Sequence, residues 1–434
     1  MKRIINILMM MLLVASAYTQ ENIYPAPAAK GTSYIKGGTV HIGNGQVLQN
    51  ATIKITDGKI ESVGTDISIP SGANVMDASG KQVYPGLILP NSQLGIQEIG
   101  GNAVRGSNDF QELGEYNPSV RSIAAYNADS KITNTLRANG ILLAETAPTG
   151  SLIAGTSSTV QLDAWNYEDA AYSLDNAMHL YMPSLLPRSG RFAAFFGPQQ
   201  GDPLKDGIDK IEGVKNFFRQ AKAYLANTGT KATNLKLEAT KGLFTKKQKL
   251  FIHADEVKQM MLAIDFAKEF GFDVVLVGAS ESWQIADLLK QNNLSVVLTQ
   301  EHSLPTLDDD DVDQPYKTAA ALQKAGVSFC LNDDDGQNRG RNLPFNAGTA
   351  VTYGLTKEEA LTAITLSTAK ILGIADRTGS IEAGKDANIV ISTGDILDMR
   401  TSIVTNAWIQ GRAINLSSKH TQLFDRYKYK YNIK

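Results

Sequence analysis

From Leu250 onward, short apolar runs alternate with segments of helical spacing, and this alternation restricts the fold more than any other feature of the chain. Leu250–Ile252, Val274–Val277, Val296–Leu298 and Val327–Leu331 read as strands. Between them, residues 257–270, 283–289 and 316–325 carry apolar side chains at helical intervals. The last unit ends in a helix over 358–372, opened by Thr356 with Glu359 three residues on, a capping box. Consecutive strand–helix units require a parallel sheet flanked by helices. Both ends of the chain differ. Residues 33–76 hold short alternating runs, two of them separated by Asp57-Gly58, a hairpin turn signal. Short strands return at 387–391, 403–409 and 412–416. About 290 residues lie between these β-rich ends, which suits a (β/α)8 barrel better than a small doubly wound sheet.

Residues 1–17 read as a targeting segment. Lys2 and Arg3 precede an apolar run to Val14, and Ala15-Ser16-Ala17 offers a cleavage site. The run is too short to span a bilayer, which needs ~20 apolar residues. The chain is therefore expected to be exported, periplasmic or secreted, with no membrane association after cleavage. Residues 18–32 read as a flexible lead-in. Lys and Arg number 42 against 44 Asp and Glu, so no global field favours nucleic acid. Cys330 is the sole cysteine, which excludes an intrachain disulfide, and its apolar neighbours make it a buried strand thiol. Lys428 and Lys430, alternating with Tyr427, Tyr429 and Tyr431, read as a terminal edge strand or tail.

In a (β/α) barrel the active site lies at the C-terminal ends of the strands. His253 directly follows Leu250–Ile252, and His302 follows Val296–Leu298 by a few residues. Asp333, Asp334 and Asp335 follow Val327–Leu331, and Asn91 and Gln93 follow Leu87–Leu89. Taken singly, each has a bland reading as a hydrogen-bonded histidine or a solvated turn. Their convergence on one rim marks a site. Glu281 and Trp283, just past the strand 274–277, are further pocket candidates; a helix-start cap and a core aromatic are their alternatives. Arg341 is a candidate partner for a substrate carboxylate, with a surface salt bridge as its alternative. The acidic run 308–311 reads as a solvated loop.

The segment from Asp77 to Ile88, which includes Val83-Tyr84-Pro85-Gly86-Leu87-Ile88, resembles the amidohydrolase superfamily, close to its imidazolonepropionase-like and dihydroorotase-like members. Gly354-Leu355-Thr356-Lys357-Glu358-Glu359-Ala360-Leu361 and Gly379-Ser380-Ile381-Glu382-Ala383-Gly384-Lys385-Asp386-Ala387-Asn388-Ile389-Val390 carry the same resemblance, which spans about residues 33–416. It implies a distorted (β/α)8 TIM barrel over 84–373, beside a composite β-sandwich built from 33–83 and 374–416. It also implies hydrolysis of a carbon–nitrogen bond in a small cyclic amide or peptide-like molecule by a metal-activated water.

The family's metal ligands are a His-x-His pair after the first barrel strand, often a carboxylated lysine, histidines after strands five and six, and an aspartate after strand eight. Here the His-x-His slot holds Asn91-Ser92-Gln93, the strand-five histidine is His253, and the strand-six slot reads Val277-Gly278. Asp334 fills the strand-eight slot, with Asp333 as the alternative, and no bridging lysine is assignable. Side-chain amides offer only a carbonyl oxygen, a harder and weaker donor than imidazole nitrogen. The resemblance then implies a weakened or altered centre holding at most one divalent ion, zinc or a harder one. His253 and Asp334 would be the catalytic pair, and Asn91, Gln93, His302, Arg341 and Glu281 would contact a small-molecule substrate. A competing expectation is an inactive barrel, homo-oligomeric or paired with an intact related amidohydrolase.

Overall fold

The computed structural model describes residues 24–98, 108–150, 152–187, 201–227, 229, 232–299, 301–305, 309–333 and 339–433. The expected targeting segment 1–17 and Asp334 lie outside them. Two eight-stranded sheets organise the chain. The first contains β1 (Thr32–His41), β2 (Val47–Thr56), β3 (Lys59–Gly64), β4 (Asn74–Asp77) and β5 (Gln82–Pro85) from one end of the chain. From the other end come β14 (Ile389–Ser392), β15 (Val404–Ile409) and β16 (Arg412–Ala413). The β2–β3 hairpin turns at Asp57 and Gly58, whose φ values of 48° and 84° are the left-handed pair that such a tight turn demands. Ile35, Ile53, Ile55, Val83, Ile389, Ile391 and Trp408 give this domain its own core. The composite domain is one continuous hydrogen-bonded sheet, because β5 pairs with β1 on one side and with β14 on the other.

The second sheet is the barrel. It runs in chain order through β6 (Leu87–Ser92), β7 (Ile141–Thr146), β8 (Ile153–Gln161), β9 (Ala171–Tyr181), β10 (Lys249–Ala254), β11 (Val274–Gly278), β12 (Ser295–Leu298) and β13 (Phe329–Leu331). Neighbours are parallel except at β8, which runs antiparallel to both β7 and β9. This reversal is the distortion of the barrel. The strands read as apolar runs because both faces are buried. Leu250 and Ile252 pack outward under the helices, whereas Phe251 points inward with Ile88, Leu143, Val275, Val297 and Cys330. Ile371 and Leu372 close the base. Cys330 is buried as expected, and desolvation pushes its thiol up to about 12.

Several expectations are corrected. The single helix over 358–372 is two, Lys357–Ala363 and Leu366–Leu372, although the Thr356–Glu359 capping box forms as read. The tyrosine–lysine tail is neither strand nor free tail but a helix, Lys419–Tyr431. Ser418 and Thr421 box its start, and Tyr427 stacks on Tyr431 one turn later. The lead-in is anchored, not loose, from residue 26: the Ala26 amide donates to Asp163, and Arg412 donates to the Ala26 carbonyl.

Candidate active site

With β6 and β9–β13 parallel, their C-terminal ends share one face of the barrel. The first strand and the segment after the last are joined by one hydrogen bond: the Asn91 backbone N–H donates to the Asn332 side-chain Oδ1 at 3.3 Å. Asp333, 2% exposed, receives the Asn346 amide at 3.2 Å. His253 ends β10 facing the interior and stacks on Tyr181, ring centroids 3.8 Å apart. The structure thus places His253, Asn91 and Asp333 on the expected rim.

Other candidates go elsewhere. His302 bonds Thr349 at 2.6 Å and lies edge-on to Tyr316, so it belongs to the outer helical layer; four residues past β12 is far enough to leave the mouth. Glu281 accepts from the Val257 amide at 2.8 Å and caps the helix Val257–Phe270, the structural alternative to a pocket role. Arg341 sits half-buried in the turn Arg339–Asn342, and Gln93 is half-buried just past β6. The strand-six slot is closed to a side chain: Gly278 has φ +95°, and an added Cβ would stand 2.6 Å from Asp255 Oδ1.

Sequence reasoning gave His179 no role. It lies on β9, fully buried, with Nδ1 2.9 Å from His253 Nε2 and Nε2 2.8 Å from Ser157 Oγ on β8. Its inward position, alternating with Met178 and Leu180, was the available signal. Beyond Ser157 lies Glu145 of β7, 0% exposed. Its Oε2 accepts from Thr159 at 2.5 Å and from Asn176 at 3.3 Å. Burial pushes Glu145 up from 4.5 to about 7, against the opposing pull of Ser157, Thr159 and Asn176. Burial drives His179 down to about 3; burial, and then the neighbouring His179, drive His253 well below 6.5. Both imidazoles are therefore neutral at physiological pH.

Neutral rings can be linked in two ways. In one, His253 Nε2–H donates to His179 Nδ1 and His179 Nε2–H donates to Ser157. In the other, the Ser157 hydroxyl donates to His179 Nε2 and His179 Nδ1–H donates to His253. Changing between them carries a proton from one end to the other.

The same rim tests the fit of a metal. Among the described residues, no group of three or more His, Cys, Asp or Glu side chains is gathered closely enough to hold one. His253 Nε2 is committed to His179, and the buried Asn91 Oδ1, without a partner among the described residues, is an amide oxygen where zinc sites use imidazole. The described donors do not fit a tightly held zinc.

A barrel with its polar rim at the strand ends, joined to a sheet domain from both chain ends, defines the architecture of a barrel with its candidate site on the strand-end face. Comparison with known proteins narrows it. The amidohydrolase family matches residues 238–414. The chain is 26% identical to imidazolonepropionase of Thermoplasma volcanium over 82% of this chain and 88% of that one, and 23% identical to the Mesorhizobium japonicum imidazolonepropionase over 80% and 87%. The crystal structure of an amidohydrolase from Thermotoga maritima shares the fold, with TM-score 0.76 and 24% identity over 88% of this chain and 99% of that one. Residues 238–414 thus match the amidohydrolase family, and over about four fifths of its length the chain is imidazolonepropionase-like, which supports a hydrolase acting on carbon–nitrogen bonds.

Proposed function

We propose that this chain hydrolyses an amide-type carbon–nitrogen bond of a small cyclic or peptide-like molecule, with acid–base work done by His253 and His179 and with the family's metal grip lost or weakened. The hydrogen-bonded series from His253 through His179 to Ser157, with Glu145 beyond, carries this reading. His253, at the mouth, takes a proton from the attacking water; the proton passes through His179 toward Ser157 and Glu145. Glu145 is the member whose proton occupancy changes near neutrality. The same proton returns to the leaving nitrogen. The targeting pattern of residues 1–17 supports an exported location for this activity.

Elemental analysis of the purified protein, with turnover of a panel of lactams and dipeptides by the wild type, His253→Ala and His179→Gln, tests the proposal. Turnover lost in both variants is expected. Stoichiometric zinc that resists chelation, or full turnover by His253→Ala, overturns it. An inert chain that recovers a related amidohydrolase from the cell envelope would replace it with a partner role.

A further inference from the structure

Past the ends of β11 and β12, a second polar feature lies apart from the histidine series. Ser280, Trp283, Thr299, Glu301, Asp310 and Thr318 are among the residues that enclose a cavity of about 30 Å³, above the ~10–15 Å³ that a single water needs. Glu301 is 3% exposed, and among the described residues neither of its carboxylate oxygens has a hydrogen-bond partner. Burial alone pushes its carboxyl well above the usual carboxylate range. Proteins seldom leave such a group without a counter-charge.

The lining fixes the sign of the missing partner. Among the described residues it contains Glu301 and Asp310 but no lysine or arginine. The hydroxyls point the same way. Thr318 Oγ1 donates to the Gln314 carbonyl at 3.0 Å, and Ser280 Oγ donates to Asp255 Oδ1 at 3.2 Å. Thr318 Oγ1 also accepts the Gln314 side-chain amide at 3.5 Å, which leaves it one lone pair; with their hydrogens committed, both hydroxyls accept N–H groups from a ligand and do not donate. The Trp283 indole adds an aromatic wall, which suits an organic cation better than a hydrated metal ion.

We propose that this cavity binds a protonated primary amine, taken as the cationic end of the molecule hydrolysed at the barrel mouth. The link to hydrolysis rests on the function proposed above; amine binding itself does not. Isothermal titration of the full chain with methylammonium chloride, against sodium and potassium chloride at equal ionic strength, tests the binding. Saturable heat with methylammonium is expected, weakened at least about tenfold in Glu301→Gln and also weakened in Thr318→Val, which keeps the carboxyl. Circular dichroism checks that both variants fold. Absence of saturable binding, equal binding by Glu301→Gln, or tighter binding of sodium or potassium overturns the proposal. A paired panel of amino-terminated and N-acetylated lactams then reads the link: preference for the free amine, lost in Glu301→Gln, supports it, and equal turnover of the two overturns it. Amine binding by a chain that hydrolyses nothing would sink the hydrolase reading while leaving the amine site intact.

Discussion

Replacing Glu145 by glutamine exchanges a buried acid for a neutral side chain of the same shape that still accepts from Thr159 and Asn176. In the unfolded chain the carboxyl ionises near 4.5, and in the folded barrel near about 7. Between those values the folded state holds more protons, so the wild type loses stability as pH rises through this window. The penalty is absent below the lower value and complete above the upper. A shift of roughly 2.5 units at 1.36 kcal/mol each is about 3 kcal/mol, a sizeable part of the ~5–15 kcal/mol typical of a folded protein. Glu145→Gln escapes it. His179, His253 and Glu301 titrate in both proteins and cancel in the difference. Urea unfolding of both at about pH 5 and about pH 8 measures it, provided the slope with denaturant is unchanged. The advantage of the variant should grow by about 2.5 kcal/mol across that interval, since part of the penalty is already present at about pH 5. A difference that stays constant with pH refutes the claim that Glu145 is a buried acid titrating near neutrality.

His253→Ala should lower turnover by about 10²–10⁴-fold with an unchanged circular dichroism spectrum; steady-state kinetics decides. The double variant Asn91→His, Gln93→His should restore imidazole donors on the first strand and raise zinc affinity by at least about 10–100-fold, measured by competition with a chelating dye, and an unchanged affinity would show that the slot was not what kept zinc out. Asp163 is buried between Arg137 and Arg412 and also holds the Ala26 amide; Asp163→Ala leaves two guanidinium groups without it and should cost about 3–5 kcal/mol, read by chemical denaturation.

The strand–helix alternation was legible because strands buried on both faces must be apolar throughout, and the Asp57-Gly58 turn was legible because few residue pairs accept its backbone angles. The direction of β8 was not, since no local pattern records whether a strand runs with or against its neighbours. His253 stood out at a strand end, but its partner His179 lies 74 residues away in sequence, inside a strand where a single histidine looks like a satisfied core residue. Glu145 was hidden for the same reason, at the end of the run Leu142-Leu143-Ala144. His302 and Glu281 misled because sequence gives proximity to a strand end, and a few residues of loop suffice to turn a side chain out of the mouth. The C-terminal tyrosines and lysines alternate as a strand would, yet Ser418 supplies a helix start, and the cap overrides the alternation.

The reversed strand and the proton series belong to one argument. Ser157, His179 and His253 come from the adjacent strands β8, β9 and β10, and Glu145 lies across from β8 on β7. Within the barrel a lone imidazolium would be costly, as the depressed His179 and His253 show. A base at His253 that kept its proton would therefore be weak. With Glu145 at the far end, the proton taken at the mouth neutralises a buried carboxylate, and no ring in between has to remain charged. Zinc achieves a related end in its own sites by lowering the pKa of bound water toward neutrality. Here a carboxyl held near about 7 supplies the matching sink, so a rim short of imidazole donors still has a group able to take a proton at neutral pH.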